Sequence, residues 1–187
     1  MVRKCWFALT VSVFSLLLGA RGQDEALKVV FISGANEYSS NLSLEKYKQY
    51  LETNHKGIQI TFLQADGALN KYGEFSDLPG LAALDECDVA LLFTRRLTIN
   101  GEQLERVKKY VNSGKPIVAL RTASHGFQNW LEFELVLGGN YHKHYPEGPI
   151  QQVRSVPVAK NHPVLAGIAD FMKDKDGQWR VSGYYIR

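Results

Sequence analysis

Cysteine is almost missing from this chain of 187 residues, which carries it only as Cys5 and Cys87. Cys5 lies in an N-terminal segment read below as a cleaved signal, which leaves Cys87 alone. No disulfide framework can form, so a hydrophobic core has to hold the fold together. Long apolar runs are missing too. The uncharged stretch from Trp6 to Leu18 is well short of the roughly 20 residues that cross a bilayer. No later segment is long and apolar enough either, which excludes a stable membrane anchor. Strong charge of one sign is the third absence. The formal net charge is +3, but Arg3, Lys4 and Arg21 belong to the signal and no acid does, so the remainder is near neutral. That balance offers no electrostatic footprint for nucleic acid or an anionic membrane. Internal repeats and low-complexity segments are also lacking.

What is present begins with an export pattern. Arg3 and Lys4 give a positive start, the apolar run follows, and Ala20-Arg21-Gly22 puts small residues at positions −3 and −1 before Gln23. Residues 1–22 therefore read as a signal peptide, with the protein exported to the periplasm or beyond the cell. Residues 23–187 then make one domain, long enough to bury a real core.

Short apolar runs alternate with amphipathic stretches along that domain. Lys28–Gly34, Ile58–Leu63, Asp88–Thr94 and Pro116–Leu120 read as buried strands. Leu44–His55 has helical spacing, with Asn41 or Ser43 as its cap. Leu78–Glu86 is a short helix candidate opening with Pro79. Asn100–Ser113 puts Leu104, Val107 and Val111 on one helical face and stops at Gly114. Phe127–Leu137 reads as a further helix, and Gln64–Asp77 as a polar, mobile surface loop. Strands alternating with helices imply right-handed βαβ units around a parallel sheet, an α/β fold. Gln178–Arg187 reads as a strand whose Tyr184, Tyr185 and Ile186 need cover, either from within the fold or from chain beyond Arg187. The second is the expectation.

In such sheets ligands bind at the carboxyl ends of the strands. Asn36, Glu37 and Tyr38 follow the first strand, and Arg95 and Arg96 follow the third. Arg121, Thr122, Ser124 and His125 follow the fourth, and His142 and His144 come soon after. Each has a plainer reading as well. Glu37 can cap a helix or pair with an arginine, one of the two adjacent arginines can point to solvent, and His125 can bond a carbonyl. Ser124 stands near a strand–elbow–helix turn but lacks the surrounding glycines of a serine nucleophile, so it is expected to cap a helix. Cys87 precedes its strand, at the opposite edge, and reads as a small buried apolar residue. If the segment is extended, His142 and His144 share a face. With His125 they make an alternative divalent-metal set, yet no carboxylate stands at ligand spacing, and the primary reading assigns no metal. The sequence names no cofactor beyond that alternative divalent metal, and its identity stays unknown.

Three phrases carry a resemblance: Gly114-Lys-Pro-Ile-Val-Ala-Leu-Arg-Thr-Ala-Ser-His-Gly-Phe127, Leu137-Gly-Gly-Asn-Tyr-His-Lys-His144 and Asn161-His-Pro-Val-Leu-Ala-Gly-Ile168. In this order they resemble the ThuA-like (trehalose-utilisation) family, as found in exported bacterial proteins, over about Val29 to the C-terminus. The resemblance implies a class I glutamine amidotransferase-like, flavodoxin-like fold: three layers, doubly wound, with a mainly parallel sheet. Amidotransferases proper hold cysteine at the elbow. Here Arg121 stands there, so glutaminase activity is not implied. The family is linked to disaccharide and oxidised-sugar metabolism, which makes a small-molecule carbohydrate the expected partner, with an oligomer allowed. Arg121, His125 and His144 carry over by position, and His162 beside Pro163 reads as structural. The family continues past this point with further strands, so the domain reads as incomplete at its C-terminus.

The combined expectation makes His125 and His144 the general acid and base, with Glu37 orienting one of them. Arg95, Arg96, Arg121, Tyr38 and His142 hold the sugar. A sugar- or anion-binding module without catalysis, a metal-dependent hydrolase and an inactive truncation stand as alternatives.

Overall fold

A computed structural model describes residues 25–139, 141–144, 163 and 184–186. The expected signal, residues 1–22, lies outside them, as does most of the stretch from 145 to 187. No helix among the described residues is long and apolar enough to cross a membrane.

The sheet is built from β1 (Leu27–Gly34), β2 (Ile58–Gln64), β5 (Val89–Thr94) and β6 (Ile117–Ala119), in the order β2-β1-β5-β6. Every pairing in it is parallel. Side chains alternate across a strand, and both faces of β1 are buried. Val30 and Ile32 pack with Ala90, Leu92, Leu104 and Val107 on one face. Val29 and Phe31 pack with Leu91, Phe93, Leu44 and Ile60 on the other. This is why the strands read as unbroken apolar runs. Helix α1 (Ser40–Asn54) covers the second face and α2 (Gly101–Asn112) the first. The fold is α/β with helices flanking a parallel sheet, as expected. β6 departs from expectation: Val118 is 44% exposed, because the described residues leave that edge of the sheet uncovered.

Asn100 caps α2, its side chain accepting from the Gln103 N–H at 3.0 Å, and Gly114 follows with the positive φ of a helix stop. Four other local expectations are corrected. α1 starts earlier than Leu44, so Asn41 and Ser43 lie inside its first turn. Ser40 does the anchoring instead, its Oγ accepting from the Ala35 N–H at 2.9 Å and meeting Ser33 Oγ at 2.8 Å. Leu78–Glu86 contracts to a 3-10 turn, Leu81–Asp85, because left-handed Gly80 blocks an earlier start. Phe127–Leu137 is helical only as α3 (Phe133–Leu137): Phe127 bridges Leu97, and the Gln128 N–H donates to Leu97 O at 2.7 Å, which commits that backbone elsewhere.

The fourth correction matters most. Gln64–Asp77 is a hydrogen-bonded hairpin of β3 (Asp66–Leu69) and β4 (Phe75–Asp77). Asn70 pins its turn. The side-chain oxygen accepts from the N–H groups of Tyr72 and Glu74, and the amide donates to Arg96 O at 2.8 Å and Thr98 Oγ1 at 2.7 Å. The turn is thereby docked on the loop after β5. Finally, β7 (Tyr141–His144) pairs antiparallel with β8 (Tyr184–Ile186), which is the described part of the expected C-terminal strand.

Candidate functional site at the carboxyl edge of the sheet

Topology gathers the candidate residues where β1, β5 and β6 end. The chain leaves β5 at Thr94 and enters a loop that holds Arg95 and Arg96 in different surroundings. The Arg95 N–H donates to Gly34 O at 2.8 Å, which ties the loop to the end of β1. Its guanidinium bonds Glu37 Oε2 at 2.7 Å and Glu74 Oε1 at 2.8 Å. Glu74 is fully buried, Arg95 is 16% exposed and Glu37 is half exposed. The second Glu74 oxygen accepts from the Asn36 N–H at 2.7 Å. A buried carboxylate is tolerable only when paired and hydrogen-bonded in this way.

Arg96 adopts a left-handed backbone, with φ 44°. Its N–H donates to His125 O at 2.8 Å, and its guanidinium lies over the Tyr72 ring, 4.7 Å from the centroid. His125 follows the elbow after β6. Arg121 holds the elbow position with φ 44°, a left-handed backbone that is strained for a non-glycine residue. Thr122 anchors that turn, its hydroxyl donating to Thr94 O at 2.9 Å. Gly126 lets the turn press against β5: a Cβ there would sit 2.3 Å from Thr94 Oγ1. The Arg121 guanidinium stacks on the Tyr38 ring at 4.0 Å.

His125 and Arg96 line one cavity of about 220 Å3, together with Tyr72, Ser124, Trp130 and Tyr141 among others. The His125 and Tyr141 rings are 4.8 Å apart. Burial, then the positive charges of Arg96 and Arg95, push the His125 pKa down to about 4. The ring is therefore a neutral base at pH 7. Its Nδ1 meets Ser124 Oγ at 3.3 Å. Ser124 thus belongs to the 3-10 turn Arg121–His125 and contacts His125, where a helix cap was expected.

Glu37 is held by Arg95 and does not line the His125 cavity. Arg121 and Tyr38 form their own stacked pair, also outside that lining. His142 and His144 stand in β7, but their side chains lie outside the described residues, as does His162. Two members of the alternative metal set (His125, His142 and His144) thus lie outside the described side chains, and among the described residues no cluster of three acid, histidine or cysteine side chains forms a cation site. Cys87 is buried before β5, at the far edge, and burial raises its thiol pKa.

No family model matches the sequence, and no curated protein matches it significantly. Among solved structures, the chain is similar to a protein from Parabacteroides merdae named ThuA-like, at 19% identity and with a TM-score of 0.51. The match covers 70% of this chain and 46% of that one, so the chain spans under half the length of its structural neighbour. The fold is ThuA-like.

Several residues around this site were missed by sequence reasoning. Glu74, Asn70 and Tyr72 all come from the hairpin read as a free loop. The available signal was Asn70-Lys-Tyr-Gly73, a turn sequence with Asn and Gly spaced to bond their own backbone. Trp130 was missed because it falls inside the expected helix Phe127–Leu137, within which no residue was singled out.

Proposed function

We propose that this is an exported ThuA-like protein of the class I glutamine amidotransferase-like superfamily that processes a carbohydrate, a disaccharide or oxidised sugar, without a cysteine nucleophile. The observation that carries this reading is the His125 imidazole sharing one cavity with the Arg96 guanidinium and an aromatic wall, where burial favours its neutral form. The tautomer that donates Nδ1–H to Ser124 Oγ leaves Nε2 as the base. That nitrogen takes a proton from a sugar hydroxyl, or from the carbon beside an oxidised position, and Arg96 stabilises the oxygen on which charge develops. Aromatic rings supply apolar faces for the sugar ring. Arg121 at the elbow supports the absence of thiol chemistry, and the Arg3-to-Gly22 pattern supports export. His125→Ala should abolish turnover of an oxidised disaccharide. Unchanged turnover contradicts the assignment.

One observation favours the second reading, a binding module. Among the described residues the His125 ring meets Ser124 Oγ and no carboxylate, the group that orients many histidine bases. Calorimetry that finds tight sugar binding with no product after hours selects this reading.

A further inference from the structure

Arg95 and Arg96 divide two jobs that their adjacency hides. Arg95 is saturated: Glu37 and Glu74 take its two terminal nitrogens, and Tyr72 O accepts from Nη1 at 3.4 Å. Arg96 has no carboxylate partner among the described residues, and only the Tyr72 ring lies beneath its guanidinium. Three bonds hold it at the cavity: its own N–H to His125 O, and the Asn70 amide to Arg96 O and Thr98 Oγ1. A left-handed backbone at a non-glycine residue is kept only where surrounding structure enforces it. The loop therefore presents an uncompensated cation to a cavity whose other walls include Trp130, Phe127, Leu131 and Phe133. The cavity, about 220 Å3, is smaller than the roughly 300–1,000 Å3 of drug-sized pockets. One sugar ring is the scale it suits.

We infer that the cavity recognises an acidic sugar unit, a single ring bearing a carboxylate, with the carboxylate on the Arg96 guanidinium and the ring against the aromatic wall. This rests on the carbohydrate reading above and narrows it to a charge class. A guanidinium pairs with a carboxylate through two parallel hydrogen bonds, a geometry a neutral hydroxyl does not reproduce. The bound anion also compensates the cation that lies beside the neutral imidazole. The near-neutral charge of residues 23–187 gives no long-range pull on anions, so selectivity has to come from this one contact.

Calorimetry on the full chain with glucuronate, glucose and acetate tests this. Glucuronate should bind at least tenfold more tightly than glucose and than acetate. Arg96→Gly, which suits the left-handed backbone and so keeps the loop, should remove that preference. Arg96→Lys should restore it in part. Glucose binding as tightly as glucuronate, or a preference that survives Arg96→Gly, overturns the acid assignment and leaves the carbohydrate reading standing. Acetate matching glucuronate overturns the inference too, reducing the site to a carboxylate pocket. If neither sugar binds, the acid assignment falls, and the carbohydrate reading is decided separately by turnover of the oxidised disaccharide.

Discussion

On one side of the loop after β5, Arg95 is locked between two carboxylates, one of them fully buried; on the other, Arg96 stands over a tyrosine ring at an open cavity. The two residues are adjacent and chemically alike, so the difference comes from what the fold brings to each. Glu74 reaches Arg95 because Asn70 docks the β3–β4 turn on the loop. Among the described residues no carboxylate reaches Arg96. The first arginine is a structural tie between β1, β5 and the hairpin, and the second is free to meet a ligand. A charged cluster at a sheet edge is thus two objects, and only one of them is a candidate for chemistry.

The strongest way to break this contrast is to unpair the tie. Glu74→Ala leaves a mostly buried guanidinium short of its buried partner and should cost about 3–5 kcal/mol. Glu37→Ala removes the half-exposed partner and should cost less than about 1 kcal/mol. Urea denaturation of the two variants measures both, and equal losses would erase the distinction. Gly126→Ala tests the contact that seats His125. Its Cβ meets Thr94 Oγ1 at 2.3 Å, and overpacking of this kind should cost about 1–3 kcal/mol, read as a lower midpoint in the same assay.

A pH series sharpens the comparison from the cavity side. The folded state lowers the His125 pKa to about 4, whereas an unfolded histidine titrates near 6.5. Between those values the unfolded chain binds the extra proton, so this residue's contribution is complete above about pH 6.5 and is lost as pH falls toward 4. Screening at a half-buried ring limits the loss to roughly 1–2 kcal/mol. His125→Gln should flatten the slope of stability against pH in that window. The smallest effect is expected at the elbow. Arg121→Gly relieves a left-handed non-glycine backbone and should raise stability by about 1 kcal/mol in the same urea assay; an unchanged or lower midpoint would show that the stack on Tyr38 outweighs the strain.

Much of the frame was legible because its physics is local. Continuous apolar runs marked β1 and β5, and Asn100 with Gly114 bracketed α2 almost to the residue. The placement of Arg95, Arg96, Arg121 and His125 at one edge also followed from topology alone. The hairpin was not legible, because its strands carry no alternating apolar pattern: β3 is exposed along its whole length, and its stability comes from Asn70 bonding distant backbone. Glu74 was invisible for the same reason, since a buried acid looks like any loop acid until its arginine is placed. The division between Arg95 and Arg96 depends on that missing partner. The helix expected from Phe127 failed through tertiary pairing with Leu97, which no periodicity records.

The account turns on His125 being an uncharged base beside Arg96, and a side-chain NMR titration of the full chain reads that directly. The imidazole signals of His125, assigned by comparison with His125→Gln, should move with a midpoint near pH 4. A midpoint at 6.5 or above would mean that the ring is solvated and distant from the guanidinium, and the cavity would lose its claim to be the site.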